Sequence, residues 1–222
     1  MTDVNRMTLR EQIESYRQEM SARLAPEAAE RFNARRAALV ETGIAEQALK
    51  AGQTAPDFTL PDASGQMVTL SGLLAHGPVV LTFYRGDWCP YCNLTLRAYQ
   101  AVLPDITALG ATLVAVSPQD ADHTQLTVEH KALTFPVLSD RGNAVARQFG
   151  LVWSIPEDQR ATMTKLPDYN GDETWELPVP GTFVIAPDRT IRLAFADADW
   201  THRLEPADIL AALAREKALS QG

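Results

Sequence analysis

The chain has 222 residues, 45% of them hydrophobic, and 20 Lys and Arg against 28 Asp and Glu leave a formal charge of −8. That length suits one full domain plus an extension. An acidic balance without a Lys/Arg block excludes nucleic acid or an anionic membrane surface as the main partner, and collagen-like and disordered compositions are excluded as well.

Residues 1–6 are polar and lack the apolar stretch and cleavage site of a secretory signal, so the expected address is cytoplasmic. Residues 1–50 read as a helical N-terminal extension. Leu9, Ile13, Tyr16, Met20 and Leu24 recur at helical spacing, and Thr8 with Glu11 predicts a capping box. A second helix is predicted from Pro26, which suits the first helical position, through Phe32 and Leu39 to the stop at Thr42 and Gly43. Each helix carries an apolar face that needs a partner: the main domain, a second copy in a homodimer, or another protein. The pattern does not choose among the three.

Residues 51–222 read as one α/β domain. Residues 58–60 and 67–70 flank the turn 61–65 and predict a β-hairpin. A strand over 79–84 leads through Arg85, Gly86, Asp87 and Trp88 into Cys89, Pro90, Tyr91 and Cys92, then into a helix carrying Leu94, Leu96, Tyr99, Val102 and Leu103. A strand over 112–117, a helix near 122–132, a short run at 135–138 and a helix over 143–149 follow. Residues 154–175, with Pro156, Pro167, Asn170 and Gly171, predict a long excursion with one helical turn. Strands at 182–185 and 191–196 and a helix from 205 to about 217 close the chain. No apolar run approaches the ~20 residues of a membrane helix.

Two cysteines cannot staple a fold of this size, and a close pair in a reducing compartment points to redox or metal chemistry. A zinc site would need a second CxxC or an HxxxH-type spacing, and His76, His123, His130 and His202 provide neither. Cys89 and Cys92 fall where a strand turns into a helix, with Pro90 at the first helical position. Cys89 is then the N-cap and Cys92 the third helical residue, and the unpaired amides and positive dipole end of the helix favour a thiolate. No Gly-rich phosphate loop is present, so a nucleotide cofactor is not expected.

The run Phe83-Tyr84-Arg85-Gly86-Asp87-Trp88-Cys89-Pro90-Tyr91-Cys92-Asn93 resembles the peroxiredoxin-like branch of the alkyl hydroperoxide reductase/thiol-specific antioxidant (AhpC/TSA) family. Ala55 to Leu60 is similar to that family's opening strand and Pro180 to Ile185 to its late strand. The resemblance implies a thioredoxin-like fold, with a central mixed sheet flanked by helices, and a thiol active site without metal or organic cofactor. Aligned on the family's Pro-x-x-x-Thr-x-x-Cys signature, Arg85 stands at the proline, Cys89 at the threonine and Cys92 at the peroxide-attacking cysteine. The family's arginine before the late strand is replaced by Pro180. Trp-Cys-x-x-Cys with that proline resembles thioredoxins, and the Pro-Tyr between the cysteines resembles glutaredoxins.

The resulting expectation is a thiol peroxidase acting on hydrogen peroxide and alkyl hydroperoxides. Cys92 is oxidised to sulfenic acid, Cys89 condenses with it, and thioredoxin or glutathione reduces the disulfide. Arg85 and the helix start stand in for the missing donors, while Asp87 opposes a nearby anion. The alternatives are a disulfide oxidoreductase in which Cys89 attacks and Cys92 resolves, and a redox-sensing binding module that recruits a partner through the N-terminal helices. Pro180 is expected to be cis, which would set the Val179 backbone beside the dithiol to pair with substrate. Trp88 is expected to cover the sulfurs. Arg85 either pairs with Asp87 or faces the thiolate, and Trp153, Trp175 and Trp200 receive no role.

Overall fold

The computed structural model describes residues 7–220. The polar lead-in at residues 1–6 lies outside the described residues. Helix α1 (Leu9–Arg23) opens with the predicted reciprocal cap: Glu11 N–H donates to Thr8 Oγ1 (3.2 Å) and Thr8 N–H to Glu11 Oε2 (2.7 Å). Such a cap contributes about 1 kcal/mol. Helix α2 (Pro26–Glu41) starts with Pro26 at the first helical position, and Gly43, at φ 67°, supplies the left-handed residue after its end.

The domain proper begins with the hairpin β1 (Thr59–Pro61) and β2 (Met67–Thr69). It continues through α3 (Leu70–Leu74), β3 (Val79–Phe83), α4 (Pro90–Ala101), α5 (Leu103–Ala108), β4 (Thr112–Ser117), α6 (Ala121–Lys131), β5 (Val137–Ser139) and α7 (Ala144–Gln148). After β6 (Val152–Ser154) come α8 (Glu157–Arg160), α9 (Leu166–Asn170), β7 (Glu176–Pro178), β8 (Gly181–Ile185), β9 (Ile191–Ala196) and α10 (Pro206–Ser220).

Five strands make a mixed sheet in the order β5-β4-β3-β8-β9, parallel from β5 to β3 and antiparallel from β3 to β9. The central strands β3 and β8 are buried along their whole length, which is why they read as continuous rather than alternating apolar runs. Phe83, Phe149 and Phe183 form one aromatic cluster with centroids 5.0 to 6.1 Å apart. The polar exceptions in this interior are paired: Thr82 and Thr182 hydroxyls meet across β3 and β8 at 2.9 Å.

Three local expectations need correction. The helix after the cysteines does not run through Leu103. Pro104 has no N–H to continue it, so the chain breaks at Val102 and restarts as α5. Residues 154–175 hold two short helices, and β6 and β7 at their margins pair as an antiparallel ribbon, closed over a small core of Ile155, Leu166 and Leu177. The Val179–Pro180 bond is trans, as no cis peptide bond occurs among the described residues. Val179 N–H donates to Leu151 O (2.8 Å) and Pro180 O accepts from Asp197 N–H (3.2 Å). Those bonds commit the extended backbone on both sides of the bond.

The N-terminal arm packs on its own domain, one of the three partners left open by its sequence. Glu205 accepts the free N–H groups of Leu9 (3.2 Å) and Arg10 (2.7 Å) at the start of α1. Tyr16 meets Tyr91 edge-on with centroids 5.5 Å apart, and Phe32 meets Trp200 in the same way at 5.8 Å. Arg36 of α2 grips Asp199 with two guanidinium nitrogens, Nε donating to Oδ1 at 2.9 Å and Nη2 to Oδ2. No helix among the described residues is long and apolar enough to cross a membrane.

Candidate active site

The site forms where β3 ends. Gly86 adopts φ +145°, and a Cβ there would meet Trp88 Nε1 at 2.3 Å, so the loop needs glycine both for its backbone and for the indole beside it. Cys89 N–H donates to Gly86 O (3.1 Å), which closes the turn, and Cys89 is the N-cap of α4 with Pro90 at its first position. Cys92 is therefore the third helical residue. Both cysteines are free thiol residues, 1% and 0% exposed.

The surroundings of the two sulfurs differ. Cys92 Sγ accepts from the Arg85 backbone N–H (3.5 Å) and from Arg203 Nη2 (3.4 Å), and the Cys89 thiol hydrogen-bonds to it. Burial opposes ionisation of Cys92, yet the Cys89 hydrogen bond, the Arg203 charge and the Arg85 amide outweigh it and hold Cys92 well below an ordinary thiol. Burial pushes Cys89 up, and its hydrogen bond to Cys92 pushes it further. The arrangement thus favours the negative charge on Cys92 and the proton on Cys89.

Arg203 went unseen in the sequence. It lies 111 residues from Cys92, in the turn before α10, and no motif marks it. Its Nη1 donates to the carbonyls of Trp200 and His202, which aims the remaining nitrogen at the sulfur. A cation missing at Pro180 is supplied from a different segment. Arg85 forms no ion pair with Asp87: its guanidinium lies between the rings of Trp88 (4.9 Å) and Trp200 (4.8 Å), its charge favours ionisation of both cysteines, and its backbone amide reaches the Cys92 sulfur. Asp87 is fixed by its N–H to Gln119 Oε1 (2.9 Å) and its carbonyl to Asn93 Nδ2 (2.7 Å). Its carboxylate is not among the main influences on either cysteine.

A cavity of about 570 Å³ opens between the arm and this loop. Tyr16 of α1, Phe32 of α2, Trp88, Trp153 and Trp200 give it an aromatic wall with Met20 beside them, and Cys89 reaches that wall whereas Cys92 does not line the cavity. Val179 and Pro180, expected beside substrate, do not line the cavity; Val179 is buried and its N–H is already donated to Leu151. Among the described residues no group of three or more His, Cys, Asp or Glu is placed to hold a metal ion.

Comparison with known proteins bears on the family and the fold. The chain is 34% identical over 129 residues to a chloroplastic peroxiredoxin Q of Triticum aestivum, a stretch covering 58% of this chain and 56% of that protein. It is also 34% identical over 103 residues to a putative peroxiredoxin of Mycobacterium tuberculosis, covering 46% of this chain and 67% of the other. The match spans little more than half of the wheat protein. The crystal structure of peroxidoxin BcpB from Mycobacterium tuberculosis superposes with a TM-score of 0.61 at 27% identity, over 75% of this chain and 97% of that one. Xanthomonas campestris peroxiredoxin Q, at 21% identity and a TM-score of 0.57, shares the fold over 72% of this chain and 91% of its own. The family model described as AhpC/TSA matches residues 51–194, which takes in the whole cysteine-bearing turn and most of the sheet, and the chain belongs to that family.

Proposed function

We propose that the protein is a thiol peroxidase that reduces hydrogen peroxide and alkyl hydroperoxides through Cys92 and Cys89, recycled by an external thiol such as thioredoxin or glutathione. The observation that carries this reading is the buried Cys92 sulfur, held by Arg203 Nη2 at 3.4 Å and Arg85 N–H at 3.5 Å with a thiol beside it. The Cys92 thiolate attacks one peroxide oxygen, the O–O bond breaks, and the leaving oxygen takes the Cys89 proton. Donors aimed at the sulfur stabilise charge on the oxygens as they change hands. The Cys89 thiolate then attacks the Cys92 sulfenic acid, hydroxide leaves to be protonated by solvent, and a Cys89–Cys92 disulfide remains. A cytoplasmic, reducing setting suits a dithiol that must be recycled.

The test is peroxide consumption by wild type and Cys92→Ser, with mass spectrometry after a peroxide pulse on Cys89→Ser and on Cys92→Ser. Wild type consumes peroxide faster than the variant, and sulfenic acid is trapped at Cys92; equal rates overturn the reading. One observation favours a second reading, a disulfide oxidoreductase in which Cys89 attacks: Cys89 and not Cys92 forms the cavity wall. Oxidation confined to Cys89 in the same experiment would select it.

A further inference from the structure

The cavity is larger than hydrogen peroxide requires. At about 570 Å³, with an aromatic wall, it falls in the range of sites that enclose small organic molecules. It also touches the sulfur that the peroxidase order does not oxidise first. Its charge runs against that of the whole chain: the protein carries −8, yet Arg17, Arg35, Arg36 and Arg85 line the cavity against the single carboxylate of Glu14. Arg17 pairs with Glu14 (3.3 Å) and Arg36 with Asp199, whereas Arg35 donates to the neutral Thr162 hydroxyl (2.8 Å).

Arg85 is the least satisfied of the four. It is 6% exposed, its Nε has no hydrogen-bond partner, and among the described residues it forms no ion pair. Two indole faces stabilise a desolvated cation but bring no negative charge to neutralise it. The Cys92 thiolate is a nearby anion that feels this guanidinium. Disulfide formation removes that anion, so the oxidised enzyme holds an uncompensated cation at the cavity wall.

We infer that this cavity docks the reductant, and that the reductant is a small organic thiol with an apolar body and a carboxylate. Its thiolate attacks Cys89 Sγ, the S–S bond breaks, and Cys92 leaves as the thiolate that Arg203 and the Arg85 amide already accommodate. Leaving from the lower-pKa sulfur is also the faster direction of exchange. A second molecule attacks the sulfur of the first, releasing a symmetrical organic disulfide and Cys89, which takes up a proton. A protein dithiol meets more obstruction than a small thiol, because both sulfurs are buried and α1 and α2 wall the cavity that reaches Cys89. The inference rests on the Cys89–Cys92 disulfide of the proposed function.

The experiment uses the full-length protein oxidised with diamide, so peroxide chemistry does not enter. Its reduction is followed by stopped flow with 4-mercaptobenzoate, the methyl ester of that acid, glutathione and thioredoxin, at equal thiolate concentration. The expected result is saturable reduction by 4-mercaptobenzoate, about tenfold or more faster than by the ester, glutathione or thioredoxin. Arg85→Met abolishes the preference for acid over ester, and Ala29→Trp, which fills the cavity from α2, abolishes saturation. The symmetrical disulfide of 4-mercaptobenzoate also labels Cys89 in Cys92→Ser faster than Cys92 in Cys89→Ser. Fastest reduction by thioredoxin, equal rates for acid and ester, or preferential labelling of Cys92 overturns the inference. Absence of a diamide-induced disulfide would instead overturn the dithiol cycle itself.

Discussion

Arg203 is the residue on which the ionisation of Cys92 leans most heavily from outside the helix. Its Nη2 donates to the sulfur at 3.4 Å, and two backbone carbonyls hold the rest of the guanidinium still. Replacing it with methionine keeps the length of the side chain and removes the charge. Thiolate absorbance at 240 nm, followed against pH in a Cys89→Ser background, should then show the Cys92 midpoint moving up toward the ordinary thiol range. At neutral pH the loss of one preorganised donor should lower the rate of the proposed peroxide reaction on the order of 10²-fold. An unchanged midpoint in Arg203→Met would remove Arg203 from the account. Cys89, Pro90 and Cys92 were legible in sequence because strand, proline and helix start follow one another along the chain. Arg203 was not, because its contact with Cys92 depends on where the turn after β9 comes to rest.

That turn is positioned by one element pair, α2 against the residues following β9. Asp199 accepts from Arg36 and from Thr201 Oγ1 (2.7 Å), and its neighbours Trp200 and Arg203 serve the site. Burial raises the Asp199 carboxyl, but the Arg36 and Thr201 hydrogen bonds prevail and hold it well below the usual carboxylate range. A carboxyl depressed on folding contributes its stability in full above its unfolded value of about 3.9, and loses it as pH falls toward the folded value. Asp199→Asn should therefore cost about 2–3 kcal/mol near neutrality, as expected for hydrogen bonds to a charged group. Thermal melts should show the gap from wild type closing below pH 4; a constant gap would show that the carboxylate is not the source. The elements themselves divide in the same physical way. Thr8, Pro26 and the apolar run of β3 carry local signals and were readable, as was the α/β alternation. The β6–β7 ribbon joins residues 152–154 to 176–178, and no local pattern announces a pairing between three-residue strands that far apart.

At the scale of the molecule, the arm and the domain close over one another at a few points, and the strength of that closure decides what reaches the dithiol. Helical periodicity showed that α1 and α2 had faces to bury but could not name the partner, because amphipathicity is the same whether a face meets its own domain or another chain. Glu205 is one of the closing points and lies outside the redox chemistry: it satisfies the first two amides of α1. Replacing it with alanine removes a cap worth about 1 kcal/mol, which multiplies the population of arm-open molecules about fivefold if the arm opens as a local unit. A protein dithiol that reaches Cys89 only in the open state should reduce the oxidised Glu205→Ala enzyme about fivefold faster than wild type. A small arylthiol entering the cavity of the closed state should react at an unchanged rate in the same variant. Stopped-flow comparison of the two reductants reads both numbers, and parallel acceleration of both would show that the arm is no barrier between them.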